Sequence, residues 1–393
     1  MGRIMKIISK LQILVCMSLV MIWPCASFAN EQLFEVDPIT NNGDKWRIGY
    51  YEGGAYINYQ KQLTETVKGL MQLGWLETAE LPKQSGESTD TLWTWLSTEA
   101  KSEYIQFVAD AHYSALWENA KRSKIEDKIV FRLNNEKDID LMIAMGTWAG
   151  KGLANYRHRT NTLGFSTSNP ISSGIIKSVE DSGFDHVHVR VDPKRNERQL
   201  KVFHEMIGFH KLGVVYEDSL AGRSYAAIET IEALAKTHDF EIVRCHTKSD
   251  ISDKKLAEQG VINCFTELVK DADAIYVTQQ GGVNSRSVPL LVEIANQNKI
   301  PTFSQSGAAE VSYGVLASLS RAGYKYVGRF HAETIAKVFN GAQPNQLNQL
   351  YEEPPKIALN LKTAEIIGFD PPIVLLGATD EFFEEIIVAI PNS

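Results

Sequence analysis

The chain has 393 residues, 44% of them hydrophobic, with 40 Lys and Arg against 48 Asp and Glu and a formal net charge of -8. An acidic balance of this kind argues against nucleic acid as a partner. The length exceeds one ordinary domain, so two hydrophobic cores are expected.

In chain order the first element is a leader. Arg3, Lys6 and Lys10 precede an apolar run from Leu11 to Trp23, and Ser27-Phe28-Ala29 supplies small residues for cleavage. The run falls short of the roughly 20 residues that span a bilayer. Residues 1–29 are therefore predicted to be a signal peptide, giving a soluble, periplasmic product that starts near Asn30. Cys25 follows Trp23 and Pro24, which are bulky where a lipid-attachment signal places small residues. Cleavage removes three positive and no negative charges and takes the formal charge from -8 to -11. Cys245 and Cys264 remain, and two readings stay open: a disulfide, if their Cα atoms come within about 7 Å, or two buried thiols.

From Trp46 onward, short β-branched runs alternate with segments of helical period. The runs RIGYY (47–51), DLMIA (140–144), KLGVVYE (211–217), DAIYVTQ (273–279) and IPTFS (300–304) are nearly continuous in apolar character. Strands covered by helices on both faces read this way. Helical period is clear in Gln60–Leu73, Ser224–Lys236, Val288–Asn298 and Val327–Asn340, the last followed by Gly341 as a stop. The pattern predicts an α/β fold with parallel sheets, two of them meeting near residue 190; a (β/α)8 barrel is the alternative. The stretch 82–128, with Trp93, Trp95, Tyr104, Phe107, Tyr113 and Trp117, is predicted to be a helical insertion whose aromatics either pack on their own lobe or form a lid.

Open parallel sheets bind ligands beyond the carboxyl ends of their strands. Tyr51, Glu52 and Tyr56 follow the first strand and form a candidate aromatic wall, while Tyr50 points to the opposite face. Trp148 follows the third strand and is a candidate stacking residue. The Gly53-Gly54 and Gly281-Gly282 pairs do not have the spacing of phosphate-binding loops. His186, His188, His204 and His210 form no recognisable zinc pattern, and no GxSxG occurs, so neither a metal, a cofactor nor catalysis is expected. Lys194, Arg195 and Arg198 are expected on a solvated helix face.

The segments GFSTSNPISSGIIKSVE (164–180), KLGVVYEDSLAGRSY (211–225), ADAIYVTQQGGVNS (272–285), IPTFSQSGAAEVSYGVLASLS (300–320), YVGRFHAETIAKVFNGAQP (326–344) and ALNLKTAEIIGFDPP (358–372) carry a resemblance. In that order they resemble the bacterial ABC-transporter solute-binding proteins that include tryptophan- and tyrosine-binding members, close to the type I periplasmic-binding fold. The resemblance implies two Rossmann-like lobes with three hinge crossings and a ligand cleft between them. Lobe I would be 46–190 plus 318–344, and lobe II 191–317 plus 345–393. It also implies a monomer that captures a small organic solute, does no chemistry on it and delivers it to an ABC permease in the inner membrane; a periplasmic sensor partnering a membrane receptor or kinase is the alternative.

Carried over residue by residue, the ligand loops fall on Gly146 and Thr147, on Ser168 and Asn169, on Ser219, Arg223 and Ser224, on Gln279 and Gln280, and on Ser304 and Ser306. Family members that bind free amino acids tend to have Asp where this chain has Asn169 and Gln280. A buried ammonium without a carboxylate is costly. The two amides therefore predict a neutral or anionic ligand, with Arg223 as its counter-charge.

Overall fold

The structure, a computed structural model, describes residues 34–321, 324–352 and 355–387. The predicted signal peptide lies outside the described residues. Among the described residues no helix is long and apolar enough to cross a membrane.

The first sheet is built in chain order from β1 (Trp46–Glu52), α1 (Ile57–Gln72), α2 (Asp90–Thr98), β2 (Ile105–Ser114), α3 (Asn119–Asn135), β3 (Leu141–Met145), α4 (Gly146–Leu153), β4 (Asn161–Phe165) and β5 (Val187–Val189). Its order is β2-β1-β3-β4-β5, and every pairing is parallel. β3 is buried at all five positions and β1 at its last five, as expected of strands covered on both faces. Ile48, Tyr50, Ile143 and Leu163 pack with Leu63, Val67 and Leu70 of α1 on one side. Tyr51, Met142 and Ala144 pack with Ile129 and Leu133 of α3 on the other.

The aromatic stretch 82–128 is not a helical insertion. It contains α2, but its centre is β2, an edge strand of the first sheet. Ile105 and Phe107 are buried in the α1-side core and Ala111 and Tyr113 in the α3-side core, the two halves of the strand being separated by a register shift against β1 and by exposed Ala109 and Asp110. Aromatics from α2 and β2 meet within the core: Trp93 packs edge-on to Phe107 at 5.4 Å.

The second sheet is formed after α5 (Arg195–Ile207) by β6 (Lys211–Tyr216), α6 (Leu220–Tyr225), α7 (Ile228–His238), β7 (Glu241–His246), α8 (Lys254–Leu268), β8 (Ala274–Val277), α9 (Val288–Gln297), β9 (Thr302–Ser304), α10 (Ala308–Ser312) and β10 (Ala317–Arg321). The chain then leaves for α11 (Tyr324–Phe339) and returns for β11 (Pro355–Asn360), α12 (Leu361–Ile367), α13 (Ile373–Ala378) and β12 (Thr379–Phe383). The order is β12-β11-β10-β9-β8-β6-β7, parallel except for the antiparallel β10–β11 pair. Two open sheets exclude the barrel alternative.

β10 belongs to the second sheet, so the return to the first lobe begins after it and not at residue 318. α11 supplies Ala332, Ile335 and Phe339 to the first core, where Phe339 stacks on Trp46 at 4.7 Å. Its approach to α1 is backbone-close: a Cβ on Gly328 would stand 2.4 Å from the Glu65 carbonyl carbon. Two of the chain's passages between the lobes run side by side, with Val191 N donating to Gln349 O and Tyr351 N to Val191 O. Cys245 on β7 and Cys264 on α8 are joined, with Cα atoms 5.6 Å apart, bracing the edge of the second sheet.

Candidate ligand cleft

A cavity of about 50 Å³ lies at the carboxyl ends of both sheets. The first lobe lines it with Tyr56, Tyr59, Trp117, Thr147, Trp148, Ser166 and Ser168. From the second lobe come Ala221, Tyr225, Asp250, Gln279, Gln280 and Gly281.

Local backbone geometry aims the first-lobe residues. Tyr56 precedes α1 in extended conformation, and Tyr59 stands one turn along, its ring edge-on to Tyr56 at 5.2 Å. Gly146 has φ +85°, and a Cβ there would lie 1.9 Å from the Tyr59 hydroxyl. Only glycine lets β3 turn into α4 against that ring. Leu116 and Trp117 are both left-handed, at φ 53° and 58°, and Ser166 has φ 55°. Non-glycine residues adopt this region at a cost of order 1 kcal/mol or more, and such strain gathers at functional sites. Here it turns the Trp117 indole over Gly54, with Trp117 N donating to Gly53 O and Nε1 to Ala55 O. Trp117 then meets Trp148 edge-on at 5.4 Å and Tyr59 at 6.3 Å.

The second-lobe residues are fixed by hydrogen bonds beneath the cavity. Thr278 Oγ1 donates to Val215 O at 2.6 Å, and Gln280 Nε2 donates to Val215 O and to Thr278 Oγ1. Gln280 Oε1 is buried and has no donor among the described residues. Tyr225 Oη accepts from Glu217 N. Asp250 accepts from Ser249 Oγ, and burial, with the Glu217 charge second, pushes its carboxyl up to about 6.

Several bonds cross between the lobes beside the cavity. Ser224 Oγ donates to Asn169 O and accepts from Ser172 Oγ, each at 3.3 Å. Lys254 Nζ reaches Ala55 O at 3.5 Å and Glu87 at 3.7 Å, and lies 5.6 Å from the Trp117 ring.

Of the residues singled out from the sequence, Tyr56, Thr147, Trp148, Ser168, Gln279 and Gln280 line the cavity. Gly146 shapes it through Tyr59. Tyr51 does not reach it: the side chain is fully buried between β1 and α3, with its hydroxyl 3.5 Å from Glu126. Glu52 is also internal, accepting from Tyr50, Thr89 and Ser114, and burial raises its carboxyl. Asn169 spends its Oδ1 on Ile171 N and Ser172 N. Ser219 caps α6 by accepting from Gly222 N.

Ser304 and Ser306 serve a buried carboxylate and not the cavity. Ser304 Oγ donates to Glu310 at 2.6 Å, both serines hydrogen-bond that carboxylate, and burial pushes Glu310 up to about 7. Arg223 is bound to Glu229 and Glu232 at 3.3 and 3.1 Å. The expected counter-charge for an anion is thus committed elsewhere, and the charged residue lining the cavity is a carboxylate.

Sequence reasoning missed Asp250, Tyr59 and Tyr225, and placed Trp117 only as an insertion aromatic. Asp250 follows β7 as the other loops follow their strands, which was the available signal. Among the described residues no group of three or more His, Cys, Asp or Glu is placed to hold a metal.

A cleft at the strand ends of two parallel α/β lobes, walled from both sides, defines a binding protein for small solutes. The sequence pattern of the ABC transporter substrate binding proteins matches residues 109–382, and the chain belongs to that family. No curated protein matches it in sequence. Among solved structures it resembles a conserved domain protein from Vibrio cholerae at 17% identity and TM-score 0.65, covering 86% of this chain and 100% of that one. It also resembles an ABC domain in complex with L-Trp from Streptococcus pneumonia, at 18% identity, TM-score 0.63 and coverages of 86% and 100%. A ligand-free, open substrate-binding protein with adhesive properties from Clostridium difficile matches at 19%, 0.57, 86% and 100%. At these identities the likeness is one of fold.

Proposed function

We propose that this chain is the exported solute-capturing component of an ABC-type uptake system. It binds one small organic molecule between its lobes, closes over it, and presents the closed form to a membrane permease. The observation that carries this reading is the cavity lined from both lobes, with Ser224 to Asn169 and Lys254 to Ala55 bonded across it. A solute that touches both walls binds the closed arrangement better than the open one, and that difference is what drives closure. One fold neighbour holds L-Trp and another 3,4-dihydroxy benzoic acid, which supports a site for a small organic solute.

The test is a melting-temperature screen of residues 30–393 against a broad library of small metabolites, with each hit titrated by calorimetry. A solute at 100 times its Kd adds about 2.7 kcal/mol, seen as a rise of a few degrees, with one site per chain and the solute recovered unchanged. No binding by any solute, or its conversion to product, contradicts the proposal.

A further inference from the structure

The chemistry of the cavity wall specifies the charge of the solute; this step rests on reading the cavity as the capture site. The wall combines five aromatic rings with a single charged group, Asp250. The rings do not form a parallel slot: Tyr56 and Tyr59 stand at 83° and Trp117 and Trp148 at 79°. Faces and edges in several orientations converge on one volume, as in a cage. Aromatic faces carry negative potential and attract a cation within about 6 Å of the ring centre.

The polar groups lean the same way. Thr278 Oγ1 gives its proton to Val215 O, so it accepts from Gln280 and orients that amide with Nε2 inward. Gln280 Oε1 is left as a buried acceptor without a donor among the described residues. Two cations lie beside the wall without lining it: Lys254, bound to Glu87, stands 5.6 Å from the Trp117 ring and acts on Asp250, and Arg122, bound to Glu126, stands 5.1 Å from the Trp148 ring, while Arg223 is held by Glu229 and Glu232.

We propose that the cavity takes a small organic amine as its ammonium ion, with Asp250 as counter-charge and the aromatic residues around the carbon body. A carboxylate on the solute is not required, because the described lining offers it no cation. The expectation of a neutral or anionic ligand, drawn from Asn169 and Gln280, is replaced: the acid sits instead at Asp250, on the loop after β7.

The experiment holds the solute's body constant and changes its head. Phenethylamine, phenylalanine, phenylacetate and 2-phenylethanol are titrated into residues 30–393 at pH 7.5, and the same four heads are tested on a butyl body. The amine is expected to bind tightest in at least one series, by tenfold or more over the amino acid and the acid. Asp250→Asn lowers amine affinity at least 30-fold, leaves the alcohol within about threefold, and melts no lower than the unaltered protein because a buried charge is lost.

The proposal is overturned if the amino acid, acid or alcohol outbinds the amine in both series. It is also overturned if other library solutes bind while the amines do not, or if Asp250→Asn keeps its amine affinity. If no solute of any charge binds, capture itself fails and the inference falls with it.

Discussion

Glu310 shows how a single acid ties the stability of the fold to pH. Its carboxyl, on the second lobe, lies within electrostatic reach of Lys61 and Tyr56 of the first. Burial holds it protonated up to about 7, so between pH 4.5 and 7 the folded chain binds more protons than the unfolded one. Stability from this group is full at low pH and is lost as pH rises through 7. His158 and His188, both pushed down to about 4 by burial, act oppositely and lose stability as pH falls below 6.5. The two effects oppose each other in the whole protein but separate in a difference measurement. Glu310→Gln, which keeps the Ser304 bond, is expected to melt near the unaltered protein at pH 5 and above it at pH 8, by about 1–3 kcal/mol. A melting difference that does not change with pH contradicts the account.

At the scale of elements, the strands and most helices were legible because apolar runs and helical period are local properties. β2 was not, because its buried face switches between Phe107 and Ala111 at a register shift, which breaks the period of two. The site was legible only in part, since the strand-end rule locates loops but does not aim side chains. It found Thr147, Trp148, Gln279 and Gln280, yet could not show that Asn169 spends its oxygen on its own turn or that Arg223 is paired. Trp117 enters the cavity through two consecutive left-handed residues, which no periodicity announces. The contact of α1 with α11 is another element-level feature: Gly69 and Gly328 let the two backbones touch, a Cβ at Gly69 standing 2.8 Å from Ala332 Cβ. Gly328→Leu is expected to push α11 off the first lobe and lower stability by 2 kcal/mol or more, read by urea denaturation. An unchanged midpoint refutes that packing.

For the whole molecule, the central claim is that the lobes close on a solute. Lys121 at the start of α3 and Lys255 at the start of α8 are exposed on opposite lobes. They flank Trp117 and Lys254, which meet across the cavity mouth. Spin labels on cysteines placed at these two positions report the width of the mouth while leaving Cys245 and Cys264 joined. The decisive measurement is the pulsed electron-resonance distance distribution between them, without solute and with the tightest solute from the screen at saturation. The account predicts a broad or long distribution that collapses to a single shorter distance when the solute is added, and a loss of that response in Trp117→Ala. A distribution identical in both conditions, with binding verified in the same sample, contradicts capture by closure.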